Sequence, residues 1–116
     1  MKRKLSLKTI DEKYRTVIDE VKKAINSVVD YPFEVTLYGS VARGQETRES
    51  DLDLLVLIDA PVDFVLKETI INAVYPIELH RDVIISLFIE SKLVWETKYA
   101  TLSMLYQNIQ REGIHA

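Results

Sequence analysis

The first third of the chain changes from a helical to a strand pattern of apolar positions. Apolar residues recur every three or four positions from Leu7 to Val28, which predicts a helix from about residue 8 to 29 with one apolar stripe. This helix should end at Asp30-Tyr31-Pro32, because a residue before proline avoids helical dihedral angles. Apolar and polar residues then alternate from Phe33 to Tyr38, and this period of two predicts a strand.

Two later segments are apolar at nearly every position. They run from Leu52 to Ile58 and from Val83 to Ile89. Runs of this kind are typical of strands that are buried on both faces of a sheet. The sequence therefore predicts three strands, with a turn at Asp59-Ala60-Pro61 after the second.

Helical patterns fill most of the remaining chain. They cover Ser40 to Gly44, Val62 to about Leu79, Ser91 to Glu96 (weakly) and Leu102 to Ile109. Ser40 is the expected cap of the short first helix, Pro76 should kink the second or end it early, and Gly113 should close the last. The order αβ(α)βαβαα predicts an α/β (α+β) fold, in which helices pack against a small sheet.

Length and composition predict one globular domain. The chain has 116 residues, of which 47% are hydrophobic and 28% charged, so residues 1–116 are expected to form a single domain.

The sequence also narrows the possible locations and partners. It contains no apolar run long enough to cross a membrane and no apolar signal core after its basic start, which favours a cytoplasmic protein. With no cysteine, disulfides and thiolate metal sites are excluded. The net charge of -3 gives no strong signal for nucleic-acid binding.

Asp51 and Asp53 open the second predicted strand. Side chains two apart in a strand lie on the same face, so the two carboxylates should be neighbours. Such a pair repels unless a cation compensates, and Mg²⁺ takes one or two carboxylates together with water and phosphate oxygens. For these two residues alone, a polar turn with Asp53 facing water is an equally physical interpretation.

Gly39 and Ser40 end the first predicted strand. A glycine here lets another group approach the backbone, and the first N–H groups of a following helix favour a phosphate. An ordinary strand-to-helix turn is the alternative. If the two strands are adjacent, however, the phosphate-binding turn and the carboxylate pair come together.

A third acid is expected if the site holds two metal ions, since two ions need more than two carboxylates. Asp82 stands at the start of the third predicted strand, as Asp53 stands near the start of the second. It is therefore the candidate third ligand and general base. The alternative is a turn residue between a helix and a strand.

The segments Gly39-Ser40-Val41-Ala42-Arg43-Gly44 and Ser50-Asp51-Leu52-Asp53-Leu54 together resemble the motif of the DNA polymerase β type nucleotidyltransferase superfamily. The short chain is similar to its minimal nucleotidyltransferase branch. The resemblance implies the polymerase β-like fold with a small mixed sheet, and transfer of a nucleoside monophosphate from an NTP, usually ATP, to a hydroxyl.

The resemblance also implies roles for individual residues. Gly39 and Ser40 would hold the β- and γ-phosphates, while Asp51, Asp53 and Asp82 would bind two Mg²⁺ ions. Arg43 would either touch the triphosphate or brace the loop by pairing with Glu46 or Glu49.

Members of this branch often act with a small helical partner of the HEPN type, as antitoxin to its toxin. The resemblance therefore implies AMP transfer to a tyrosine of such a toxin. Two alternatives stay open: a non-catalytic antitoxin that neutralises its partner by contact, and a nucleotidyltransferase that acts on a small molecule. A homo-oligomer is possible, and no membrane partner is expected.

Overall fold

The computed structural model describes residues 6–47 and 50–116. Helix α1 spans Glu12–Val28, and its first turn is capped by Asp11, whose side chain accepts a hydrogen bond from the Lys13 N–H at 2.9 Å. A separate 3₁₀ turn at Leu7–Thr9 precedes it, so the helix begins later than predicted. The predicted apolar stripe faces the interior: Tyr14, Val17, Ile18, Val21 and Ile25 are all buried.

The sheet has four strands in the order β3-β2-β1-β4. They are β1 (Phe33–Tyr38), β2 (Leu52–Ile58), β3 (Ile85–Ser91) and β4 (Ile114–His115). β1 is antiparallel to β2 and β4, while β2 and β3 are parallel, so the sheet is mixed as expected. β1 and β2 have the predicted bounds. β3 begins two residues later than predicted, and β4 was not predicted because two residues carry no period.

The helices after β1 are α2 (Gly39–Ala42), α3 (Phe64–Arg81), α4 (Lys92–Val94), α5 (Ala100–Leu102) and α6 (Met104–Glu112). A π-helical turn at Trp95–Tyr99 joins α4 to α5. Helix α3 begins at Phe64 because the Asp63 side chain accepts the Leu66 N–H at 2.8 Å. Pro76 lies inside α3, which continues to Arg81, so the predicted early end is wrong.

Each face of the sheet covers its own apolar cluster. Leu54 and Val56 of β2 pack with residues of α1 and α3, whereas Leu55 and Leu57 pack with Trp95 and Ile109. We call these the α1/α3 face and the Trp95 face. This division explains why β2 is apolar at nearly every position. Within the described ranges, no helix is long and apolar enough to cross a membrane.

Candidate functional site

Gly39 lies where β1 ends and α2 begins, directly against Asp53 of the neighbouring strand. β1 and β2 pair so that Tyr38 is opposite Asp53. A Cβ atom built on Gly39 would lie 2.2 Å from Asp53 Oδ2, and the Gly39 φ is +77°, a value that side chains disfavour. The Asp53 carboxylate therefore occupies the space that a side chain at residue 39 would need. The structure thus brings the predicted turn and the predicted carboxylate together.

Helix α2 begins one residue earlier than predicted. It starts at Gly39, its N-cap residue is Tyr38, and no side chain caps it, so Ser40 does not have the expected capping role. The first N–H groups of a helix have no partner within the helix. Those of α2 lie at the same strand end as Asp53. We call Gly39, Ser40, Asp51 and Asp53 the strand-end site.

The two aspartates of the strand-end site repel each other. The pKa of Asp53 is raised, first by burial and then by the negative charge of Asp51, while the positive charge of Arg43 opposes the shift. Burial, and then the charge of Asp53, also raises the pKa of the neighbouring Tyr38. The surroundings of Asp53 therefore disfavour its ionised form, which a bound cation would stabilise.

Arg43 connects the strand-end site to the last helix. Its Nη1 contacts Glu112 Oε1 of α6 at 3.2 Å, and its Nε donates to Gln45 Oε1 at 3.3 Å. The expected pairing with Glu46 is not made, and Glu46 Oε2 is buried without a hydrogen-bond partner in the described part of the chain. Glu49 lies outside the described residues. Arg43 therefore braces the loop, but through Glu112.

Asp82 lies at the end of α3 and not in β3. It is the C-cap of that helix, in the left-handed conformation (φ 52°, ψ 51°), and its N–H donates to the Glu78 carbonyl. Asp82 lines a cavity of about 420 Å³ together with Lys13 of α1, Leu79 of α3 and Ser50, which comes two residues before β2. Across residues 6–47 and 50–116, no three His, Cys, Asp or Glu side chains are arranged to hold a metal ion. The role of Asp82 as a ligand stays a prediction.

Ser86 is the residue that the sequence reasoning passed over. In the parallel pairing of β2 with β3, Ser86 is the partner of Asp53. The sequence predicted a strand from Val83 but not which residues of β2 it would face. Only the pairing of Leu52 with Ile85, two buried residues at the strand starts, reveals it.

Comparisons with known proteins agree on one family. The family profile described as "Nucleotidyltransferase domain" matches residues 17–113. Two proteins of Methanocaldococcus jannaschii are similar to this chain. "Putative protein adenylyltransferase MJ0141" is 35% identical over 79 residues, which are 67% of this chain and 80% of that protein. "Putative protein adenylyltransferase MJ0604" is 31% identical over 80 residues, 69% and 73% of the two chains.

A solved structure shares the fold. "Crystal structure of the toxin-antitoxin with AMP-PNP" superposes with a TM-score of 0.57 over 84% of this chain and 69% of that chain, at 17% sequence identity. At this identity the similarity supports the mixed sheet and its helices, and the predicted fold class is confirmed.

Proposed function

Because the chain belongs to the nucleotidyltransferase domain family, we propose that it transfers AMP from ATP to a hydroxyl group of a partner protein. The observation that carries this proposal is the closeness of Asp53 to Gly39, which brings a carboxylate to the first turn of α2. Both M. jannaschii relatives are named as protein adenylyltransferases, and this supports a protein as the acceptor.

In the proposed reaction the acceptor oxygen forms a bond to the α-phosphorus of ATP. The bond from that phosphorus to the oxygen leading to the β-phosphorus breaks, pyrophosphate leaves, and the hydroxyl proton passes to solvent or a nearby base. Phosphoryl transfer depends on alignment and on neutralising charge. The N–H groups of Gly39 and Ser40 hold the β- and γ-phosphates. Arg43, which Glu112 holds beside the loop, adds positive charge to the site.

The strand-end site suits Mg²⁺. Asp51 and Asp53 are close enough for the charge of one to raise the pKa of the other, and an acid pair of this kind is completed by a cation. Mg²⁺ binds through one or two carboxylates and fills its remaining positions with water and phosphate oxygens. When bound, it neutralises phosphate charge and orients the α-phosphate. Asp51 and Asp53 are the residues that would hold it.

For the acceptor we propose a tyrosine of a small helical HEPN-type toxin, so that the protein acts as an antitoxin in the cytoplasm. The structural neighbour is a toxin–antitoxin with AMP-PNP, and this motivates the choice. The exposed apolar side chains Leu93, Leu102 and Met104, each more than 70% exposed, provide surface that a partner would cover.

The test combines the protein with ATP labelled at the α-phosphate, Mg²⁺ and the product of the neighbouring gene. We expect label on the neighbour, at a tyrosine found by mass spectrometry, and no label with Asp51→Asn. Asp82→Asn is measured beside it, because its side chain is not part of the strand-end site.

A contact-only antitoxin predicts a different result. The Asp51→Asn variant would then still bind the product of the neighbouring gene tightly. Neither the unmodified protein nor the variant would transfer label to it. Labelling of a small molecule in place of the neighbour would instead support the small-molecule alternative.

A further inference from the structure

The strand register identifies the residue beside Asp53 on the neighbouring strand. Asp53 pairs with Ser86 in the parallel β2–β3 ladder, and the pair before it is Leu52 with Ile85. Adjacent strands lie about 4.8 Å apart, and paired residues of a parallel ladder point to the same face. Ser86 therefore occupies the position from which a side chain of β3 would meet Asp53.

Packing shows that this shared face is the one that carries the strand-end site. Two residues beyond Asp53 and Ser86 lie Leu55 and Phe88, which are also paired and which both pack in the Trp95 cluster. Tyr38, opposite Asp53 on the other side, packs in the same cluster. Three adjacent strands thus present Tyr38, Asp53 and Ser86 in one row on the Trp95 face.

Asp82 belongs to the opposite side of the sheet. Asp82 lines a cavity with residues of α1 and α3, and these helices cover the α1/α3 face. The rest of its lining is Ser50, Val83 and Ile84. Asp82 precedes Ser86 by four positions, which is at most roughly 13 Å of extended chain. The left-handed φ of 52° at Asp82 turns the chain between the helix and β3. Neither feature directs its carboxylate towards Asp53.

We propose that Ser86, and not Asp82, is the third residue of the metal site. It follows that the chain itself supplies two carboxylates and holds one divalent cation. Two metal ions need more shared anionic ligands than Asp51 and Asp53 provide. A second ion would depend on oxygens from the triphosphate or the partner. This inference rests on the proposed function and specifies its metal content.

The test locates Mn²⁺, a paramagnetic substitute for Mg²⁺, by amide NMR of the protein without nucleotide. We expect the amide signals of Gly39, Asp53 and Ser86 to broaden first, while the signal of Asp82 persists at the same Mn²⁺ concentration. Asp82→Asn should leave the Mn²⁺ dissociation constant within twofold of the unmodified protein. Asp51→Asn should weaken binding at least tenfold.

Ser86→Asp is the gain-of-ligand variant. A third carboxylate should tighten Mn²⁺ binding about tenfold, since ligand charge tunes the affinity of oxygen sites. Because a third acid also adds repulsion, its thermal unfolding is measured with and without Mn²⁺, and we expect the ion to raise the unfolding temperature more than in the unmodified protein.

Two results would overturn the inference and are distinguishable. If Asp82→Asn weakens Mn²⁺ binding as Asp51→Asn does, Asp82 is the third ligand and the proposed function stands. If no residue of the strand-end site broadens, the metal site itself is absent, and the proposed function fails with it.

Discussion

Gly39→Ala tests the contact on which the strand-end site depends. The added Cβ would lie 2.2 Å from Asp53 Oδ2 and 3.1 Å from Asp53 Cγ. It would also force a residue with a side chain to adopt a φ of +77°. The variant therefore combines a backbone penalty with a steric one, and the two can be separated experimentally.

The magnitude follows from these two effects. A left-handed conformation costs a residue with a side chain about 1–2 kcal/mol. Moving the Asp53 carboxylate away from the new methyl group takes it off its rotamer, at about 1 kcal/mol. The total of roughly 2–3 kcal/mol is smaller than the stability of a typical domain, so the variant should fold. Its melting temperature should fall by roughly 10 °C.

The assay is a double-mutant cycle by thermal and denaturant unfolding. Asp53→Ala removes the atoms nearest to the new Cβ, so Gly39→Ala should cost about 1 kcal/mol less in that background. Gly44→Ala is the matched control, since Gly44 also has a positive φ, of 69°. Gly44 does not lie opposite Asp53 in the sheet, so its cost should be the same with and without Asp53.

Equal costs of Gly39→Ala in both backgrounds would refute the reasoning, because the Asp53 side chain would then not limit the space at residue 39. Mn²⁺ binding gives an independent measurement. Gly39→Ala should weaken it, because the displaced Asp53 no longer lies beside Asp51, whereas Gly44→Ala should leave it unchanged.

Three further results are expected. Because the pKa of Asp53 is raised in the folded protein, its ionised form destabilises the fold once the pH exceeds the unfolded pKa. Without metal at pH 7, Asp53→Asn should therefore raise the unfolding temperature, and the gain should vanish as the pH falls to about 4. Glu112→Gln should release Arg43, tighten binding of a non-hydrolysable ATP analogue and cost at most about 1 kcal/mol of stability, while Arg43→Gln should weaken the same binding. Gly113→Ala should cost about 1–3 kcal/mol in denaturant unfolding, since its Cβ would lie 2.6 Å from the Ile109 carbonyl oxygen.

The parts of the fold with strong periodicity were predictable. The bounds of β1 and β2 are as predicted, because alternation and a continuous apolar run are local signals. The end of α3 was not, since Pro76 is tolerated within it and the helix continues for five more residues. The start of β3 depends on where the chain leaves α3, and the left-handed Asp82 sets this point. Aspartate adopts this conformation more readily than most residues, but the preference is too weak to locate the turn from the sequence.

The site was predictable to the same extent. β1 and β2 are antiparallel neighbours that follow each other in the chain, so the end of β1 lies beside the start of β2. Gly39 and Asp53 therefore meet. Asp82 could not be placed in this way, since its position relative to Asp53 depends on the register of a strand that is distant in sequence. The pairing of Arg43 with Glu112 spans 69 residues and has no local signal.

The strand-end site and the register of β2 depend on each other. Both faces of β2 are apolar: Leu54 and Val56 are buried on one side, and Leu55 and Leu57 on the other. Burial of these leucines and valines therefore favours one strand register over the other only weakly. A slip of one residue would nevertheless turn every side chain of β2 to the opposite face. Asp53 would then lie under α1 and α3, among the buried apolar side chains of that face, where an ionised carboxylate is costly. The same aspartate that we propose as a metal ligand therefore also fixes the register, and the space above Gly39 is what receives it.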